Sequence, residues 1–508
     1  MNKPEQYGAK PNDETVNSAY AINKCIMENG SCELDEGIYY IGGKDIDIND
    51  PEKVLKSGIL WGWIQQHNES GVKLTGKGKG KTILKLSKHL SGRRDLAVNG
   101  NQLIMVQAVG PGGDGSVDCK NIVFKGITFD GNYDEINEAK GNELTTAGCT
   151  TFGTNTLFED CEFKGFNVGK DNATSFVIIS LLSKNSKDDA KGTTVRRCDF
   201  HSPGRNNRYP EHDTEQIVHV QVGGHLAGKV FATGCIVEQC TFRGDVGKTQ
   251  FSPLAGVSIA NTKGALIRHN NFDGFEGMCY YVDTGTNIDT IVEQNSAINV
   301  PCFVRLSAQN YVRQYGSEWW AVNYAYHHNL IVLNNNVVTT GKGTWNWKPG
   351  KYAAWDGIFL GYSLDRDLPN LSSIFKNIII EENNLNVSPE NMLKNLGGWW
   401  PQSNCYGNPT PYGPVPPEPV LPEPPLLLPP VLPLPVPGLV APPVLAPPPV
   451  GSPLPFDAGT SQLKPTSGCI SPSSSGGGGG AFGKSIKYLY TELSLYTYTL
   501  INSPCVGS

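Results

Sequence analysis

Charge is scarce in this chain: only 18% of its 508 residues are Asp, Glu, Lys or Arg, and the formal net charge is −6. That leaves no basic footprint for a nucleic-acid partner. Long apolar runs are missing as well, since none free of Pro or Gly is long enough to span a bilayer, so no membrane insertion is expected. Met1 to Ala9 carries no apolar core of the kind a signal peptide needs, which points to assembly in a reducing compartment. The thirteen cysteines form no Cys-x-x-Cys pair, so neither a disulfide framework nor a zinc module is indicated. His327 and His328 are adjacent and would diverge on a strand. No metal and no cofactor are expected.

What the chain does have is an internal repeat. Eight segments align in one column: Val123 to Phe129, Leu157 to Phe163, Thr194 to Phe200, Ile236 to Phe242, Leu266 to Phe272, Ile291 to Ala297, Ile331 to Val337 and Ile379 to Leu385. Their fifth position reads Ile127, Cys161, Cys198, Cys240, Asn270, Asn295, Asn335, Asn383, an inward-type ladder that changes from small apolar groups to amides. Cys161, Cys198 and Cys240 therefore read as small buried hydrophobes. The seventh position is mostly large and apolar: Phe129, Phe163, Phe200, Phe242 and Phe272, then Ala297, Val337 and Leu385. The segments recur at irregular spacings of 25 to 48 residues. A solenoid with loops of varying length fits that pattern, because each repeat buries its apolar face against its neighbours.

The segments are short, β-branched and alternate with period two, so they are strands. A second set lies between them: Ser175 to Leu181, Ile217 to Val222, Gly256 to Asn261, Cys279 to Thr284, Cys302 to Ser307 and Gly357 to Tyr362. Two strand columns per coil, joined by turns rich in Gly, Asn and Asp, describe an all-β parallel β-helix whose like residues stack at about 4.8 Å. A propeller would need four antiparallel strands per blade at more even spacing.

At the amino end, Asn12 or Asp13 can cap a helix with the apolar stripe Val16, Ala19, Ile22 and Ile26, ended by Gly30. Such a helix would cover the unpaired backbone of the first coil. Tyr7, Gly8, Ala9 and Lys10, then Ala21 and Ile22, then Gly37 through Ile41, follow the opening of a known family. The stretches Leu74 to Leu86 and Ile127 to Asn132 follow its next two strand motifs. The chain thus resembles the pectate-lyase-like β-helix proteins, which include phage tailspikes and capsule depolymerases. The resemblance spans roughly Tyr7 to Ser388 and implies a single-stranded right-handed parallel β-helix with an N-terminal capping helix. The family's Gly-Asp-Gly turn is replaced by Pro11, Asn12, Asp13 and Glu14, and the signatures of polygalacturonases and alginate epimerases are missing. No specific enzyme class follows from it.

Composition changes after Trp400, where 24 of the 36 prolines lie from Pro409 onward. A Pro-rich C-terminal tail of this kind is neither helix nor inner strand and reads as extended polyproline-type chain. The expected division is a cap over 1–45, the β-helix over 46–400, the Pro-rich segment over 401–470, and a Gly/Ser linker with a Tyr-rich terminal segment over 471–508.

Strand alternation offers a candidate face. With Val220, Val222, Val257, Ile259, Tyr280, Val282, Val304 and Leu306 inward, the outward set is His219, Gln221, Ser258, Tyr281, Asp283 and Arg305. On a uronic-acid polymer, Arg305 could stabilise the carboxylate and the developing enolate, with Tyr281 or His219 as base. Hydrolysis would instead need two carboxylates flanking the bond, and Asp283 could pair with Asp273, Glu276 or Asp245. The bland reading of the same residues is a solvated sheet and Asp-Gly turns. His212 to Glu215 form a second, loop-borne cluster. Seven of the nine tryptophans, among them Trp319, Trp320, Trp345 and Trp347, crowd the last coils, where they would stack on sugars or pack between subunits.

These observations lead to two expectations. One is a virion tailspike or fibre that binds, and as a lyase or glycoside hydrolase would cleave, a surface polysaccharide, assembled as a homotrimer. The other is a non-enzymatic β-helix subunit of a filament or surface appendage, with the tail in assembly. Both place the protein on a virion or extracellular surface structure, as a homo-oligomer of trimer or polymer type.

Overall fold

The computed structural model describes residues 2–44, 64–67, 71–97, 102–110, 117–138, 143–169, 174–183, 185–202, 216–224, 230–244, 254–274, 278–282, 286–300, 302–309, 327–339, 357–363, 375–385 and 405–407. The chain divides into two units, residues 1–411 with 479–508 and residues 412–478, and every described residue lies in the first. Of the tail, only Cys405–Gly407 is described, as a strand.

The described strands form three sheets of 14, 10 and 10 strands, and the pairing is parallel throughout. Each coil passes through the first, second and third sheet in turn; one coil, for instance, supplies Leu157–Glu159, Glu162–Lys164 and Thr174–Leu181. This is a parallel β-helix. It has three strand columns per coil where the sequence suggested two, because every seven-residue repeat is itself two strands with a corner between them. The corner is its fourth residue: Asp160, Arg197, Gln239, His269, Gln294, Asn334 and Glu382 all have φ between 52° and 55°. A single left-handed residue turns the chain from one sheet into the next.

The predicted ladders fill the interior. Phe129, Phe163, Phe200, Phe242 and Phe272 stack with ring centroids 4.8 to 5.0 Å apart. Cys161, Cys198 and Cys240 are buried free thiols, and each Sγ donates to the carbonyl two residues back, at 3.3, 3.4 and 3.3 Å. Burial pushes the Cys161 and Cys198 thiols up, so they stay protonated. From Asn270 onward amides take over: Asn270 Nδ2 donates to Asn295 Oδ1 at 3.0 Å, Asn295 Nδ2 to Asn335 Oδ1 at 2.9 Å, and Asn335 Nδ2 to Asn383 Oδ1 at 2.8 Å.

The capping helix, α1, spans Ser18–Asn29 and buries Ala19, Ala21, Ile22, Cys25 and Ile26 in the same core as the coils. Gly30 ends it with φ 66°. Its cap is Asn17, whose side chain accepts from Ala19 N, and not Asn12 or Asp13. Those two are used earlier: Asp13 Oδ1 accepts from Thr15 N in a turn, and Asn12 Oδ1 accepts from Ile38 N, tying the opening to the first coil.

Candidate functional site on the outer faces

The third sheet carries the face that alternation singled out. Gln221 pairs with Ser258, Ser258 with Tyr281, Tyr281 with Arg305, and Arg305 with Phe359, so these residues share one register column across successive coils. His219 does not belong to it. The imidazole is 0% exposed and sits 5.6 Å from the Phe200 ring and 5.9 Å from that of Phe242, inside the core.

The cause is a bend shared by third-sheet strands. Met105 with Val106, Val177 with Ile178, and Phe303 with Val304 are neighbours in sequence that all lie in the core cluster. At that rung two consecutive residues face inward, and the parity of the strand reverses. Ile217 and His219 are inside before the bend, Val220 and Val222 after it. Burial, with the nearby His201 adding, lowers the His219 pKa to about 3, so the ring is neutral at ordinary pH.

Lying on the outer side does not put Gln221 and Ser258 in water. Gln221 is 4% and Ser258 3% exposed, and in preceding coils Gln107, Thr150 and Ile179 are buried at the same register. A second apolar cluster of Val109, Phe152, Ile179 and Leu181, with Phe176 against it, lies apart from the main core. Asp273 sits elsewhere, at the end of the second-sheet strand Asn271–Asp273, accepting from Asn299 Nδ2 at 3.1 Å. Asp283, Glu276, Asp245, His212 to Glu215, Trp319, Trp320, Trp345 and Trp347 lie outside the described residues.

The open polar face is on the second sheet. One register column there reads Glu162, Asp199, Thr241, Asn271, Ser296, Asn336 and Asn384, each half-buried or exposed. Beside it runs a column of Asp130, Lys164, His201, Arg243 and Asp273. The Phe ladder lies between them in sequence and points the other way, which keeps both columns outside. Lys79 reaches across from an earlier coil to Asp199, 2.8 Å, while Glu162 accepts from Thr128 Oγ1 at 2.7 Å. Asp130 is held above the usual carboxylate range by burial, although Asn132 N donates to it at 2.9 Å. The first of these columns was present in the repeat alignment as its sixth position, between the two ladders that drew attention.

On the first sheet the third repeat position reads Lys125, Glu159, Arg196, Glu238, Arg268 and Glu293 in register. Lys125 lies 2.7 Å from Glu159, and Arg196 and Arg197 lie 2.5 and 2.6 Å from it. Those cations, Lys125 foremost, hold the Glu159 carboxyl down to about 2. Among the described residues, no group of three or more His, Cys, Asp or Glu is arranged to hold a metal ion.

Parallel sheets, stacked ladders and one-residue corners define the chain as a parallel β-helix protein. No family model matches its sequence, and no curated protein does. Solved structures do resemble it. One is PfbA, a surface adhesin of Streptococcus pneumoniae, at 13% identity over 75% of this chain and 85% of that one, with a TM-score of 0.42. Another is the tailspike protein of Escherichia coli bacteriophage HK620 in complex with a pentasaccharide, at 14% identity over 75% of this chain and 56% of that one, TM-score 0.47. A third is the A-module of the Azotobacter vinelandii mannuronan C-5 epimerase AlgE6, at 12% identity over 76% and 94%, TM-score 0.34. The aligned part thus spans just over half of the tailspike's length. At these identities the likeness concerns the fold.

Proposed function

We propose that this chain is a polysaccharide-binding protein of a virion or cell surface, tailspike- or fibre-like, with the second sheet as its binding face. The observation that carries this is the column Glu162, Asp199, Thr241, Asn271, Ser296, Asn336, Asn384. It is a straight comb of hydroxyl, amide and carboxylate groups, open to solvent and repeating at the coil spacing of about 4.8 Å. A polymer of hydroxylated rings laid along the coils can hydrogen-bond to successive teeth. Cleavage, as lyase or hydrolase, is proposed for Tyr281 and Arg305 of the third sheet with Asp283 and Glu276, while Asp273, on the second sheet, belongs to the binding face. The tryptophans Trp319, Trp320, Trp345 and Trp347 are assigned to sugar stacking, and Gln221, buried in the third-sheet column, to a supporting role.

The test is a binding screen of the full-length protein against neutral and acidic surface polysaccharides. Asn271→Ala with Asn336→Ala should weaken the retained glycan at least tenfold at an unchanged melting temperature. No binding to any polysaccharide, or binding indifferent to that pair, overturns the reading. For cleavage, Arg305→Ala should abolish product formation with binding retained. Unsaturated products identify a lyase and new reducing ends a hydrolase.

A second reading, a structural subunit of an appendage without enzymatic activity, is favoured by one feature of the first sheet, where the described outer face is not purely polar.

A further inference from the structure

The first sheet carries an aliphatic stripe on its outside. Val123, Leu157, Thr194, Ile236, Leu266, Ile291, Ile331 and Ile379 follow one another in register over eight coils, all half-buried, with Thr194 the one polar member. They are not core residues. The core side of the same strands is Phe124, Phe158, Val195, Val237, Ile267, Val292 and Val332, each 0 or 1% exposed. The row packs against itself from coil to coil, broken only by Thr194, and the part of each side chain left outside is apolar surface that a second face can cover.

The charge ladder beside the stripe specifies the partner. Along the coils it reads plus, minus, plus, minus, plus, minus: Lys125, Glu159, Arg196, Glu238, Arg268, Glu293. It is flanked by uncharged Thr75 at one end and Leu333 at the other. An alternating row of six read backwards is its own complement. A second copy turned end for end about a two-fold axis along the strands would therefore set Lys125 opposite Glu293, Glu159 opposite Arg268, and Arg196 opposite Glu238. The same operation lays the aliphatic stripe on itself. Copies facing each other in the same direction gain no such match from this ladder.

Intramolecular pairing is uneven in a way this arrangement completes. Glu159 is surrounded by Lys125, Arg196 and Arg197, and Glu238 is 2.9 Å from Arg268. Glu293 has no ion-pair partner among the described residues, and the second copy would offer it Lys125. Seven steps of about 4.8 Å and strands of mostly three residues give stripe and ladder a footprint of roughly 34 by 10 Å, under half of the ~800 Å² per partner of a standard interface, so it is the charge match that specifies the occupant.

We infer that the first sheet is a homodimer interface in which two copies pack antiparallel, stripe on stripe. The occupant is a second copy of this chain, and the second sheet stays open for glycan. This architecture suits an appendage subunit and differs from a parallel trimer.

Two measurements on the full-length protein test it. Sedimentation velocity should give a dimer for the wild type and a monomer for Ile236→Asp with Leu266→Asp, whose outward positions leave the melting temperature within a few degrees of wild type. Zero-length carbodiimide coupling of a mixture of ¹⁴N- and ¹⁵N-labelled protein should give a mixed-isotope Lys125–Glu293 cross-link. Those residues are five coils apart in one chain and cannot be joined within it. A wild-type monomer, a dimer that survives both aspartates, or mixed-isotope links from Lys125 to Glu159 in place of Glu293 overturns the inference. The cross-link needs no variant, so a failure of the double aspartate to fold leaves the test intact.

Discussion

His219 is an ionisable ring placed where water cannot reach it, between Phe200 and Phe242. Its folded-state pKa, about 3, lies below the 6.5 of the unfolded chain. Between those values the unfolded chain holds a proton that the native state does not. Stability is therefore complete above pH 6.5 and lost as the pH falls, by about 1.4 kcal/mol per pH unit from this residue. Glu159 erodes stability in the same direction, but its window opens only below the ordinary glutamate value of 4.5. Urea unfolding between pH 6.5 and 4.5 separates the two. His219→Leu should flatten the pH dependence there, and an unchanged slope would mean that the imidazole is already protonated in the native core. Gln239 poses the other residue-scale question, because a side chain with φ 55° costs roughly 1–2 kcal/mol relative to an ordinary conformation. Gln239→Gly should raise the unfolding free energy by up to ~1 kcal/mol, and Gln239→Val should lower it, both read from denaturant midpoints.

The inner amide ladder turns a side-chain row into an extra column of the sheet. Asn295 Nδ2 donates to Asn335 Oδ1 and to Ile267 O, while its Oδ1 accepts from Asn270 N and Nδ2. Asn295→Ala leaves those buried groups unmatched and should cost about 3 kcal/mol, measured as a shift in the urea midpoint, because an orphaned buried group costs ~1–3 kcal/mol. A cost below 1 kcal/mol would mean that water replaces the amide. This ladder and the Phe ladder were legible in the sequence because they repeat in type, Asn above Asn and Phe above Phe, and the capping helix was legible from its apolar stripe and Gly30. The third sheet was legible as strands, and its column from Gln221 to Arg305 as one face, but not the side to which His219 belongs. Period-two alternation assumes a straight strand, and the bend beside Val177 and His219 reverses parity without any change in residue type. The corner was hidden for a related reason. A left-handed residue is betrayed by Gly or Asn, and here the position is filled by Asp160, Arg197, Gln239 and His269 as well. The polar comb of the second sheet lay in the alignment unweighted, since Glu, Asp, Thr, Asn and Ser share no single chemical type, only exposure.

At the scale of the whole solenoid, the same ladders make energetics local. Each coil touches the coil before and the coil after, so stability is close to a sum of coil terms and nearest-neighbour terms. The stacked phenyl rings give a direct measure of the second kind. Phe200 and Phe242 are 4.8 Å apart between centroids, whereas Phe129 and Phe272 are separated by Phe163, Phe200 and Phe242 in the same stack. A double-mutant cycle of Phe200→Leu with Phe242→Leu should show a coupling of about 0.5–1.5 kcal/mol, the scale of a stacked aromatic pair. The cycle of Phe129→Leu with Phe272→Leu should be additive to within roughly 0.5 kcal/mol. Equal coupling in both cycles would mean that the coils unfold as one cooperative body, and damage at one end would then be felt at the other. Coupling confined to neighbours would let the proposed glycan face of one coil be altered without disturbing the rest, which is the property a long binding surface built from repeats requires.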